Sequence, residues 1–212
     1  MILKRIGKIP KTLLFNFYYL SFAQAVHFPI RVSSNVKVGK LGHRNAVKIA
    51  PGSRIVIGDG ESFGLGNRTY WEIQNDGIVV FDGNAIIGRG TQIISKGKIH
   101  FGNDFFCNAG CIINAGKEIR FGDDCIIGWN VEIIDGDGHE IIKDNLPKAL
   151  YKSIHVGNHV WIGSNSMVLK GSIIPDNCIV GAKSCITKSF DGSNLLICEQ
   201  NRVKAKDINW RR

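Results

Sequence analysis

Residues 156–190 read VGNHVW, IGSNSM, VLKGSI, IPDNCI, VGAKSC and ITKSF. Every sixth residue is a β-branched aliphatic: Val156, Ile162, Val168, Ile174, Val180 and Ile186. Four positions after each come Val160, Ser166, Ser172, Cys178, Ser184 and Phe190, most of them small. A large aliphatic and a small residue recurring at this period describe short strands that turn tight corners around a narrow interior. No rung of such a stack can enclose a core alone, so each depends on the next.

The hexads continue upstream. FGNDFF, CNAGCI and INAGKE run from Phe101, FGDDCI and IGWNVE from Phe121, and FDGNAI and IGRGTQ from Phe81. Phe81, Phe101 and Phe121 stand twenty residues apart, and the phrases IISKGKIHFG and INAGKEIRFG repeat at that interval. One turn is therefore about three hexads plus a two-residue corner bulge. A weaker rung begins at Ile57, preceded by a corner near Ile49. The architecture expected is an all-β parallel solenoid over residues 31–190, with an N-terminal helical cap over 1–30 and a tail or helix over 191–212.

A chain of 212 residues suits one domain with a capping element. Its 25 glycines occur without Pro-rich or low-complexity stretches, which fits corners and not disorder. The six cysteines form no CxxC pair, and Cys111, Cys125 and Cys178 fall on small interior positions, as reduced core residues would. No Cys/His spacing suggests a metal site.

Charge is uneven. Residues 1–58 hold ten Lys/Arg and no Asp or Glu, while the remainder holds seventeen basic against eighteen acidic residues, so the net +9 arises wholly in the N-terminal quarter. The apolar run from Ile9 to Ile30 is interrupted by Asn16, Ser21, Gln24 and His27. It reads as neither a membrane span nor a signal peptide. Capping helices over the first rung are the preferred reading. The second is contact with an anionic membrane surface or a lipid-linked anionic acceptor. Nucleic acid is not an expected partner.

Between Asp135 and Ser153 the hexads stop, and the rung ending IGWNVEII runs into DGDGHEIIKDNLPKALYKS. A loop of this length in a repeat protein usually lies on the working face. His139 sits in it, and an imidazole titrating near neutrality is suited to take a proton from an alcohol. Asp135, Asp137, Glu140 or a backbone carbonyl is the candidate to orient it.

The hexads, the looped-out DGDGHEI and the terminal WIGSNSMVLKGSIIPDNCIVGAKSCITKSF together resemble the left-handed β-helix acyltransferases, above all the CoA-dependent sugar O-acetyltransferases of bacterial polysaccharide and galactoside type. The likeness spans roughly residues 30–205. It alone supplies the left hand, since parallel β crossovers are normally right-handed. It implies a cytoplasmic homotrimer with the active site between neighbouring solenoids and acetyl-CoA lying along the C-terminal coils. His139 matches the family's histidine base. Trp161, Gly163 and Ser164 match the segment lining the thiol arm, with Ser164 or a nearby N–H steadying the oxyanion. Ala182 matches a backbone contact to pantetheine, and Thr187 and Lys188 match contacts near the nucleotide end. Lys183 stands where relatives often have Gly, as a phosphate contact or a solvated cation. Asn108 matches a position that meets the sugar, or is an ordinary corner Asn. Trp129 is placed to stack on a pyranose, or on a neighbouring subunit. His43, His100, His155 and His159 read as surface or interface residues.

The chain departs from the family in ICEQNRVKAKDINW, where relatives carry a Gly-x-Pro-Ala turn. The expected activity is acetyl transfer to a sugar hydroxyl of a surface polysaccharide or its precursor. The alternatives are N-acylation of a nucleotide-linked amino sugar, a non-catalytic hexapeptide scaffold, and a γ-class carbonic anhydrase-like zinc enzyme, for which the histidine spacing is poor.

Overall fold

The computed structural model describes residues 9–60, 68–74, 76–143 and 146–207. Lys4, Arg5, Lys8 and residues 208–212 lie outside them. The chain winds as a three-faced solenoid in which consecutive strands lie on successive faces and each pairs in parallel with the strand one coil later. The first face runs from Ile30–Val32 through Ile55–Asp59, Ala85–Gly88, Phe105–Cys107, Ile126–Ile127, Trp161–Ile162 and Ile179–Val180 to Leu196–Cys198. The second holds Lys37–Val38, Tyr70–Ile73, Gln92–Ser95, Ile112–Ala115, Glu132–Ile134, Met167–Leu169 and Cys185–Ile186. The third holds Val47–Ile49, Ile78–Phe81, Lys98–Phe101, Glu118–Phe121, Ile154–Val156 and Ile173–Ile174.

Register places like above like. Trp71, Ile93, Ile113, Ile133, Val168 and Ile186 form one buried column. Another holds Ile49, Phe81, Phe101, Phe121, Val156 and Ile174. The rings of Phe81 and Phe101 stack at 4.9 Å, and those of Phe101 and Phe121 at 5.6 Å and 1°. The small hexad positions Ser166, Ser172, Cys178 and Ser184 are buried as expected. Stacked aromatics and β-branched residues suit a pleated, enclosed surface, where each ring covers the next.

The two-residue bulge belongs to one corner. Ile113 and Ile119 flank the turn between second and third faces six residues apart, whereas Val168 and Ser172 flank the same turn four apart, around Gly171. The loop 135–153 enlarges this same corner, entering after Glu132–Ile134 and returning at Ile154–Val156.

A parallel stack leaves an unpaired strand at each end. At the N-terminal end two helices close it, α1 (Ile9–Tyr19) and α2 (Phe22–Ala25). Asn16, wholly buried, accepts from Ile30 N–H at 3.2 Å and donates to Ile30 C=O at 2.6 Å, and Thr12 Oγ1 serves Val32 N–H at 3.0 Å. The polar interruptions of the apolar run thus stand in for a missing neighbouring strand. Lys11 donates to Ser34 and Val36 carbonyls, and the Tyr18 and Tyr19 hydroxyls to Gly42 and Leu41, each at 2.8 Å. Phe15 and Tyr19 supply the apolar cover. At the other end the described tail is not helical, contrary to expectation. Arg202–Ala205 turns back antiparallel on Leu196–Cys198, since a hairpin pairs the last exposed strand edge.

Replacing Asn16 by Ala orphans two buried backbone groups, and should lower the unfolding free energy by about 2–4 kcal/mol in urea titrations. A loss below about 1 kcal/mol would show that the edge strand does not depend on this amide.

Candidate active site

The expected site residues fall on two different edges of the prism. Asn108, Trp129, Gly163, Ser164, Ala182 and Lys183 climb the edge between first and second faces, coil by coil, with Trp161 pointing outward just before it. His139 lies on the opposite edge of the second face, in the loop at the corner between second and third. Thr187 and Lys188 follow the last strand of the second face, Cys185–Ile186, on the His139 side. A strand of three residues, on the order of 10 Å, separates the two edges.

The loop is held at its root. Asp135 continues the column of Ser95 and Ala115, is fully buried, and accepts from the N–H groups of Gly116, Lys117 and Glu118 at 2.6, 2.8 and 2.7 Å. Its carboxylate therefore serves the turn of the coil beneath. Asp137 forms an ion pair with Lys170, which also donates to Ala149 C=O at 2.8 Å, so one ammonium ties both arms of the loop. Backbone bonds from Lys152 to Asp135 and from Asp137 to Leu150 close the neck, and the Tyr151 ring lies across Gly116 and Gly136. Beyond this clamp His139 and Glu140 are exposed, and Ile142–Lys143 pairs with Leu146–Pro147 as the loop's tip. Lys170 and Tyr151 position the loop, yet nothing in the hexad spacing marked them, because their partners lie across the break in the repeat.

Along the other edge, Ser164 Oγ accepts from Trp129 N–H at 3.1 Å, which leaves the hydroxyl proton for another acceptor. Gly163 is structural: a Cβ there would meet Ala182 N at 2.5 Å. Lys183 has φ 60°, directly above Asn165, Asn130, Gly110 and Gly90 at the same corner, all with positive φ. A glycine or asparagine accepts that conformation more easily than lysine. Ala182, Lys183, Thr187 and Lys188 are exposed. The Thr187 hydroxyl accepts from Asn201 at 2.9 Å, and Lys188 Nζ rests 5.2 Å from the Phe190 ring centre. In the tail, Arg202 and Lys204 face Glu199 at 3.8 and 2.8 Å.

Asn108 and Trp129 line one shallow pocket of about 240 Å³ together with Asp59, Ile86 and Phe106. Asn108 is half-buried, and its amide donates to Ile127 C=O at 3.1 Å. Two histidine expectations need correction. His100 is buried, with Nε2 on the Asp82 carboxylate, because its outward position on the third face is covered by neighbouring coils. His159 is half-buried at a positive-φ corner, with Nδ1 2.6 Å from Asp124 Oδ2. Among the described residues no three His, Cys, Asp or Glu side chains converge as metal ligands. Cys107, Cys111, Cys125 and Cys178 are buried, whereas Cys185 and Cys198 are half-buried. Burial pushes Cys125 up to about 12, and the bond to Cys111 together with burial holds Cys107 well above the usual range.

Residues 153–188 match the family described as "Bacterial transferase hexapeptide (six repeats)". A galactoside O-acetyltransferase of Escherichia coli (strain K12) is 35% identical over 97 residues, covering 44% of this chain and 46% of its own. A putative lipopolysaccharide biosynthesis O-acetyl transferase, WbbJ, of the same strain is 26% identical over 136 residues, covering 58% and 69%. The solved structure of the polySia specific acetyltransferase NeuO superposes with a TM-score of 0.61 at 19% identity, covering 85% of this chain and 80% of that one. The chain carries the hexapeptide-repeat, left-handed parallel β-helix fold of these acetyltransferases. It spans about half the length of several curated relatives, among them the first galactoside enzyme.

Asp135→Ala should lower stability by about 3–5 kcal/mol, through three orphaned amides, and Gly163→Ala by about 1–3 kcal/mol through the clash with the next coil. Denaturant melts measure both, and a neutral Asp135→Ala would refute its assignment to the turn.

Proposed function

We propose that the chain is an acetyl-CoA-dependent O-acetyltransferase that acylates a hydroxyl of a saccharide, within a surface polysaccharide or its precursor. The observation that carries this reading is the pairing of an exposed histidine, on a clamped loop, with a column of exposed residues on hexapeptide coils that match a transferase family. The saccharide relatives support the acceptor class: one is a galactoside enzyme, one is described for lipopolysaccharide, and one for polysialic acid.

The two half-sites lie on separate edges of a single chain, so a working centre requires a second copy whose Ser164 edge faces the first copy's His139. Closed point-group assembly of identical copies is the usual way to repeat such a contact, and a homotrimer is the reading adopted. The donor lies along Trp161, Ser164 and Ala182, with its phosphates toward Lys183 and Lys188. That Lys183 holds a left-handed conformation without glycine supports a use for its charge, since strain of this kind collects at ligand sites.

In the ternary complex His139 accepts the acceptor's hydroxyl proton as the oxygen attacks the thioester carbonyl. The developing oxyanion accepts a hydrogen bond from the Ser164 hydroxyl or from a neighbouring backbone N–H. Collapse breaks the C–S bond, and the imidazolium returns its proton to the CoA thiolate. Cys107, Cys111, Cys125 and Cys178 are buried away from the proposed donor edge, which favours direct transfer over an acyl-enzyme. The Trp129 face and the Asn108 amide receive the sugar in their shared pocket.

His139→Ala should lower turnover about 10²–10⁴-fold with melting temperature and sedimentation unchanged. Near-normal acetylation by that variant would remove the histidine from the mechanism. CoA should raise the melting temperature of the wild type, and Lys188→Gln should weaken CoA about tenfold by calorimetry. Equal affinities would place the phosphates elsewhere.

A further inference from the structure

The outer side of the N-terminal cap has no part in closing the solenoid. Leu13, Leu14 and Phe17 of α1, with Phe22, Val26 and Phe28 around α2, are six of the fifteen exposed large hydrophobic side chains among the described residues, and Phe22 is 76% exposed. Three of them meet. Phe17 meets Phe22 at 6.2 Å and Phe28 at 6.0 Å between ring centres. The aromatics expected as cover for the first rung are thus divided, with Phe15 and Tyr19 inward and Phe17, Phe22 and Phe28 outward.

Phe28 also lines a cavity of about 510 Å³ between α2 and the corner at residues 49–54. Pro29 and Pro51 form part of its apolar lining, and His27, Arg31 and Arg54 its polar rim. All three of these residues are exposed, and among the described residues no acidic one lines the cavity. The surrounding sequence has the same sign throughout, with ten basic and no acidic residues in 1–58. An apolar aromatic face beside a cationic pocket is the signature of an element that lies in a membrane interface.

We infer that the outer face of the N-terminal cap docks on an anionic phospholipid bilayer, with Phe17, Phe22 and Phe28 entering the headgroup boundary and Arg31 and Arg54 receiving lipid phosphates. Charge decides between occupants. A second copy laid on this face would bring the cationic rim of Arg31 and Arg54 against like charge, whereas an anionic leaflet neutralises it. The cap lies on the bilayer and does not cross it: α1 has eleven residues, about 16 Å, against a hydrocarbon core of about 30 Å. Lys11 takes no part, since its ammonium is committed to two backbone carbonyls.

Co-sedimentation of the full chain with mixed phosphatidylglycerol and phosphatidylcholine vesicles tests this, against phosphatidylcholine alone. Binding should require the anionic lipid and fall at least tenfold between low salt and about 0.5 M salt. Arg31→Gln with Arg54→Gln should weaken it about tenfold, and Phe17→Ser with Phe22→Ser by at least as much. Neither pair should change the melting temperature by more than a few degrees or alter acetyl transfer to a soluble sugar. Absent or lipid-independent binding would overturn the inference. So would a phenylalanine pair that lowered the sedimenting mass of the free protein without touching vesicle binding, which would assign the face to a second copy. Thermal protection by inorganic phosphate with no vesicle binding would likewise reassign the arginine pocket to a small anion.

Discussion

Everything in this molecule depends on the parallel ladder between coils, through which each rung takes both its backbone hydrogen bonds and its apolar cover from the next. Ile113 is buried because Ile93 lies below it and Ile133 above. The stacked rings of Phe81, Phe101 and Phe121 exist only because twenty residues bring the chain back to the same place. Backbone groups that have no helix or hairpin to satisfy them must find a partner one coil away. The two ends of the stack and any break in it are therefore where the structure needs special solutions.

The special solutions share one chemistry, in which side chains stand in for absent backbone. Asn16 and Thr12 act toward Ile30 and Val32 as a neighbouring strand would. Asp135 supplies three acceptors to the turn at Gly116–Glu118, at the coil where the chain leaves the stack for nearly twenty residues. The loop bearing His139 then starts from a rooted position, with Asp137 and Lys170 joining its arms. The long loop thus leaves the stack at the corner that already tolerated extra residues in earlier coils, because length added there leaves the three faces in register.

The same geometry sets the limits of one chain. Residues that sequence reasoning assembled into a single site are divided between two edges by the second face, and the flat faces of a rigid prism cannot fold to bring them together. A site drawing on both edges would need a second copy, and the outer side of the cap takes no part in closing the solenoid.

The repeat was legible from residue types because a six-residue alternation of Ile or Val with Ser or Cys has few other physical meanings. His139 stood out as the histidine in the one long interruption, whereas the close packing of Gly163 against Ala182 in the next coil was not visible in the spacing. Periodicity could not tell which carboxylate orients the histidine, and it misplaced His100, whose burial depends on Asp82 in the previous coil. It left the N-terminal cap between covering the first rung and meeting an anionic surface, and only the fold separates the inward Phe15 and Tyr19 from the outward Phe17 and Phe22. The polar break at Asn16 looked like an interruption of an apolar helix and proved, together with Thr12, to bond the first strand edge. The sequence by itself determined the coil and where it breaks, since those follow from local spacing. The tertiary structure decided which polar group meets which amide, because those partners lie one coil or more away and their distances are set by the stack.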